Sequence, residues 1–197
     1  MLASISPLGE RARRQRYAVT VVAYIAASTV AGALLGGLLA AAGAPWAGTH
    51  GSLLVIGVLA VVGLLLDARV LGLRVPGPRR QVNEDWLATY RGWVYGIGYG
   101  AQLGLGITTI VTASITWVAF ACAAATGSLA AGMVVGATFG LARALPVLAT
   151  ARAYDPSTLR ARLARLDRLR PQTARVATVL QVTLAVAVLG VVAVQLA

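Results

Sequence analysis

A chain of 197 residues that is 58% hydrophobic and 12% charged, with a mean hydropathy of +0.79, is too apolar for an ordinary soluble domain. Its formal charge of +11 comes from arginine alone, and those arginines sit between apolar runs without interleaved stacking aromatics, which argues against nucleic-acid binding. One cysteine, Cys122, excludes an internal disulfide and a cysteine metal cluster, and one histidine, His50, excludes a His-rich site.

Five membrane spans are expected in chain order, at residues 17–43, 52–73, 93–124, 127–151 and 175–197. The first run is too long for a signal peptide, whose apolar region is about 7 to 15 residues, and reads as a retained span. Arg11, Arg13, Arg14 and Arg16 precede it; Arg74, Arg79, Arg80 and Arg91 separate spans two and three; six arginines from Arg152 to Arg170 separate spans four and five. The positive-inside rule then puts the N-terminus and the connections 74–92 and 152–174 in the cytoplasm and the C-terminus outside. The expected fold class is all-α: one membrane domain over 1–197, a polytopic helix bundle with interfacial amphipathic helices, in a bacterial cytoplasmic (inner) membrane.

Arg16 and Ala68-Arg69 frame spans one and two as Arg91 and Ala142-Arg143 frame spans three and four, at offsets of 75 and 74 residues. The chain thus reads either as two tandem parallel hairpins plus one helix or as ordinary hairpins bounded by inside arginines. The first connection leaves span two through Pro76-Gly77-Pro78, after which Asn83 can cap a short helix opening with Glu84 and Asp85. Trp86, Tyr90 and Trp93 then recur at helical spacing, at headgroup level, and lead into span three.

Span three is about 48 Å long as a helix against a hydrocarbon core of about 30 Å, so it must tilt, protrude or break. Gly96, Gly98, Gly100, Gly104 and Gly106 supply the weak point and predict a kink near its inner half. Gly96, Gly100 and Gly104 in this span, and Gly132, Gly136 and Gly140 in span four, recur every fourth residue and open grooves for close helix approach. Span one offers Ser28, Gly32 and Gly36 as a counterpart. Gln102, Thr109, Thr112 and Thr116 form a neutral polar stripe with two readings, interhelical hydrogen bonding or a substrate path. Asp67 and Arg143 lie about 22 and 24 Å from the outer ends of spans two and four, so they can pair, snorkel or gate. Pro146 loosens the inner end of span four.

The last connection starts a helix at Asp155-Pro156-Ser157, with Leu159, Leu163, Leu166 and Leu169 on one face and Arg160, Arg162, Arg165 and Arg168 around the rest. That pattern suits an interfacial helix on anionic lipid headgroups, or a docking helix for a cytosolic partner. The glycine-rich stretch 96–109, the repeated hairpins and the small size resemble the broad group of DsbD/CcdA-type and LysE-type membrane proteins. The first type implies reactive cysteines beside proline in two spans, where this chain has Cys122 alone. The second implies export of small solutes through six spans, against five here. No functional residue carries over from either.

The expected function is therefore transport of a small solute or ion, with Asp67, Arg143, Gln102, Thr109, Thr112 and Thr116 as path or gate residues. The competing reading is a non-catalytic subunit of a larger membrane complex or a self-associating scaffold; a third is redox work on cofactors held by a partner. Catalytic motifs, metal ligands and cofactor motifs are not evident, so an enzyme acting alone is not expected. The expected partners are the bilayer, its anionic headgroups and either copies of the chain or other subunits.

Overall fold

The computed structural model describes residues 5–69, 72, 75–77, 85–108 and 113–196, and among them every regular element is helical. Asn83, Glu84, Arg74, Arg79, Arg80, Thr109 and Thr112 lie outside the described residues. The helices are α1 (Pro7–Ala12), α2 (Tyr17–Gly43), α3 (His50–Asp67), α4 (Trp86–Thr89), α5 (Gly92–Leu105), α6 (Ile115–Ala125), α7 (Leu129–Ala144) and α8 (Pro156–Leu196). A 3-10 segment, Leu145–Thr150, extends α7 past Ala144. Four helical stretches are long and apolar enough to cross a membrane, at 17–46, 50–67, 129–150 and 156–195.

Local chemistry sets several helix starts. Ser6, followed by Pro7 at the first helical position, accepts from the Gly9 N–H at 3.1 Å and opens α1. Thr49 caps α3 through the Ser52 N–H, and the Asp155 carboxylate accepts from the Thr158 N–H at 2.8 Å where α8 begins.

α2 is the centre of the packing. Along one side it runs parallel to α5: Cβ atoms placed on Gly96, Gly100 and Gly104 would collide with the backbone of Thr20, Tyr24 and Ser28. Along another it runs antiparallel to α7, with Gly32 against Gly136 and Gly140, and Gly36 against Gly132 and Gly136. Both glycine ladders therefore receive the same helix. Such contacts rest on van der Waals packing at backbone range, since lipid supplies no hydrophobic drive between helices.

α3 does not form a packed hairpin with α2. It lies against α8 in antiparallel register, Gly57 facing Leu189, Gly63 facing Gln181, and His50 Nδ1 meeting Gln195 Oε1 at 2.8 Å. α6 bridges the two groups, touching α2, α3 and α7. The tandem-hairpin arrangement is thus not the packing unit, because the first hairpin is opened by α6 and closed instead by the last helix.

Two expected helices differ in form. The stretch 93–124 is broken: α5 ends at Gly106, which takes the left-handed conformation (φ 67°), and α6 begins only at Ile115. The break falls at Gly106, the last of the glycines expected to weaken the inner half, while Gly96, Gly98, Gly100 and Gly104 stay helical, with α2 packed against Gly96, Gly100 and Gly104. The basic helix and the last span, expected as separate elements, are one helix of 41 residues. Pro171 removes one backbone donor, but residues 167–171 are exposed, so water can serve the freed carbonyl. Likewise α4 stops at Thr89, and extended backbone at Tyr90 (ψ 160°) separates it from α5.

Candidate functional site

Where the broken span resumes, its new helix end needs a cap, and its own sequence supplies none. The Ser114 side chain makes no capping bond to its own helix. The Asp67 carboxylate, at the last position of α3, takes that role: the Ser114 N–H donates to its two oxygens at 3.0 and 3.2 Å, and the Ser114 hydroxyl donates to Oδ2 at 2.7 Å. An anion at the positive end of a helix is favoured by the unsatisfied N–H groups there. Gln181 of α8 closes the node, its Nε2 donating to the Ala60 carbonyl at 2.9 Å and to Ser114 Oγ at 3.0 Å. Ser114 and Gln181 are both 2% exposed while Asp67 is exposed, so the node is a brace joining α3, α6 and α8 with its buried side on Gln181.

The height of this node follows from packing. Gly43 of α2 presses on Ala124 of α6, and Ser114 lies ten residues earlier on α6, about 15 Å from the Gly43 end of a helix about 40 Å long.

A second buried cluster joins α1, α2 and α5 at the other end. Glu10 is fully buried; it accepts from the Tyr95 hydroxyl, from Thr20 Oγ1 at 2.8 Å and from Arg13 Nη2 at 2.7 Å. Burial by itself lowers the pKa of the Arg13 guanidinium, but its bonds with Glu10 and Tyr95 outweigh that and hold it above the ordinary value. The backbone N–H of Gly92 donates to Gln15 Oε1 at 3.1 Å, closing the same corner.

Among the described residues, Asp67 and Arg143 do not meet. Asp67 is engaged with Ser114, while Arg143 lies over the ring of Phe139, its own neighbour on α7, at 5.4 Å. The two form no ion pair, because the break in span three turns Asp67 toward α6. Of the stripe's described residues, Gln102 is on α5 and Thr116 is buried on α6, and the helix that would align them is interrupted at Gly106. The Gln102 carbonyl instead accepts from the Thr108 hydroxyl at 2.6 Å, just past the end of α5. Cys122 is half-buried beside Ala60, Val118 and Ala185. Three residues of these two clusters, Glu10, Ser114 and Gln181, were not singled out from sequence; a lone amide in the apolar run 176–194 and a glutamate four residues after Ser6-Pro7 are the signals that carry them.

Between α2, α3 and α6 runs a cleft of about 580 Å³, walled by side chains such as Leu39, Val55, Leu59, Val62, Phe120 and Ala121. Ser114 and Pro76 line it too, and the indole of Trp117 donates to the Pro76 carbonyl at 3.0 Å.

The chain is similar to methylamine utilization proteins named MauF. That of Paracoccus versutus is 34% identical over 151 residues, 73% of this chain and 54% of the relative. That of Paracoccus denitrificans is 37% identical over 137 residues, 68% and 48% respectively, and that of Methylorubrum extorquens is 31% identical over 132 residues. The chain spans about half the length of these relatives. No family model and no solved structure matches. The relatives carry the MauF name, so the resemblance to DsbD/CcdA-type and LysE-type proteins does not hold; glycine-rich spans and hairpins are too general to separate such groups.

Proposed function

We propose that the chain is a multi-pass protein of a bacterial cytoplasmic membrane that serves methylamine utilization as a non-catalytic accessory subunit, holding partners in the membrane rather than moving a solute. The observation that carries this reading is that the buried polar groups Ser28, Ser114 and Gln181 are engaged in bonds between helices. Ser28 bonds across to α7, and Ser114 bonds both Asp67 and Gln181. A path needs polar groups that face a passage, and a gate needs an exchangeable charge. The name of the relatives supports the process, methylamine utilization, and no particular step in it.

Five crossings fit this arrangement, the third built from α5 and α6 in succession. The parallel run of α2 with α5, and the antiparallel runs of α2 with α7 and α3 with α8, agree with alternating directions. The N-terminus lies inside in this reading, since Arg11, Arg13, Arg91 and the arginines of early α8 belong to one end. Those arginines also favour anionic headgroups, at about 1 kcal/mol each.

The test has two parts. Removing the gene from its host should abolish growth on methylamine while sparing growth on an unrelated carbon source. Purified chain in vesicles should take up labelled methylamine no faster than empty vesicles. Uptake above that level would favour transport, and undisturbed growth on methylamine would remove the link to the pathway.

A further inference from the structure

α8 is continuous through the change from basic to apolar sequence, and that decides where its arginines stand. The apolar run 176–196 is about 31 Å long as a helix and fills a hydrocarbon core of about 30 Å by itself. A basic segment lying flat on the headgroups would need a turn of roughly 90° near Arg175, whereas the helix runs unbroken from Pro156. Its early part is also held to the bundle: Arg162 Nη1 donates to the Ala149 carbonyl at 3.1 Å, on the extension of α7. Arg165 and Arg160 therefore lie about 15 and 22 Å from Arg175 along the helix, past a headgroup layer of about 5–8 Å. Arg170 and Arg175 are the ones that headgroups reach.

This part of the helix has two unlike sides. Leu159, Arg162, Leu163 and Leu166 are partly buried and form the side that meets the bundle. At about 100° per residue, Arg160, Arg165 and Arg168 fall on the other side, all exposed, with exposed Ala161 and Ala164 between them. The one carboxylate between Pro156 and Arg175, Asp167, pairs with Arg170 at 3.8 Å and leaves those three arginines without an ion pair among the described residues. Alanines between arginines admit a second helix at about 8–10 Å between axes, where guanidinium groups reach its carboxylates. A second copy of this chain is a poor match, since its six acidic residues are scattered and Glu10 and Asp67 are already bonded within it. Stacking aromatics for a nucleic acid are absent from 156–175. We infer that the outward side of early α8 docks an acidic helix of a different, water-soluble protein on the arginine side of the membrane. This rests on the reading of the chain as an accessory subunit and gives the chemistry of a partner that it holds.

Full chain in phosphatidylcholine nanodiscs, at about 0.15 M salt, tests this with two synthetic helical peptides of identical composition. One carries its glutamates along a single face, and the other has them dispersed around the helix. The single-face peptide should bind at least tenfold tighter. Arg160→Gln, Arg165→Gln and Arg168→Gln together should weaken its binding about tenfold or more, the sum of three exposed charge pairs. Arg170→Gln, which releases Asp167, should leave it within about twofold. Equal binding of the two peptides overturns the proposal, as does undiminished binding by the triple variant. Single-stranded RNA of matched charge binding tighter than the single-face peptide would overturn it as well. A spin label on Arg160→Cys, with Cys122→Ser, should stay open to a water-soluble relaxation agent in phosphatidylglycerol vesicles; shielding there would give this side to lipid and overturn it too. These measurements need no host, so a missing role in growth on methylamine and a missing docking face are separate outcomes.

Discussion

The hydroxyl of Ser28 donates to the carbonyl of Gly140 at 2.8 Å, at the point where both glycine ladders meet α2. Its own carbonyl lies where a Cβ on either Gly104 or Gly140 would have to stand. One residue thus fixes the spacing of α5 and α7 around α2, and the ladders act as a single three-helix device.

Gly136→Ala should be among the most damaging small substitutions in the chain. Its added methyl would meet the Gly32 carbonyl and the Gly36 Cα, backbone atoms that cannot rotate away. Separating the two helices forfeits their contact, a loss of about 1–3 kcal/mol by the usual scale of overpacking. Gly190→Ala is the matched control: nothing lies within 4 Å of its added methyl. Relief of glycine's chain entropy there should stabilise α8 by about 0.5–1 kcal/mol. Thermal unfolding in detergent should separate the two variants in opposite directions.

Asp67 offers a second test, because bracing and ion coupling predict different outcomes. Asp67→Ala leaves the Ser114 N–H at the start of α6 without its acceptor, and should destabilise by about 1–3 kcal/mol. Asp67→Asn keeps a carbonyl oxygen at that place and should lose distinctly less. Hydrogen exchange at residues 114–118 should quicken in the alanine variant and stay near normal in the asparagine variant. If both variants exchanged alike, Asp67 would have no capping role.

These two cases show where sequence reasoning reaches. The apolar run from Tyr17 to Gly43 has no polar interruption strong enough to end it, and α2 takes those bounds. The ladders were legible for the same reason: small residues at a four-residue period have meaning only on a helix face. A weak point at Gly106 is legible in the glycines of the span, but a second helix start at Ile115 is not, because residues 106–114 are apolar and hydroxyl-rich in sequence and the group that caps the resumed helix, Asp67, belongs to another element. Pairings such as Gln181 with Ser114 connect residues 67 positions apart, and periodicity within one helix says nothing about them. The continuity of α8 is not legible either, because the pattern changes from arginine-rich and amphipathic to wholly apolar near Arg175, and that shift reads as two elements although the exposed turn at Pro171 lets one helix run through.

At the start of α8 the Asp155 carboxylate accepts from the Ser157 hydroxyl and the Thr158 N–H, and these bonds hold its pKa below the usual carboxylate range. Because the folded pKa is depressed, the contribution of this cap is complete above the unfolded value of about 3.9 and is lost as pH falls toward the folded one. The Thr158 amide should therefore keep its protection at pH 5 and lose it only in stronger acid. Asp155→Ala should remove that protection at every pH. Amide exchange or chemical shifts across pH 2 to 7, roughly the range in which carboxylates titrate, would check both statements.

Glu10 carries the largest expected single loss outside the membrane-crossing helices. Its removal in Glu10→Ala strips an acceptor from Tyr95 and Thr20, both buried, and from Arg13, whose side chain is 26% exposed. Breaking a wholly buried pair costs about 3–5 kcal/mol, and the partial exposure of Arg13 puts this case at about 3. Glu10→Gln retains one acceptor oxygen for Tyr95 and should lose less. In the double variant Glu10→Ala with Arg13→Gln, part of the loss should return, since no charge is then left facing the gap. Unfolding midpoints of the four proteins, unaltered chain included, measure this directly. An alanine variant as stable as the unaltered chain would mean that α1 is not anchored to α2 and α5 through this carboxylate.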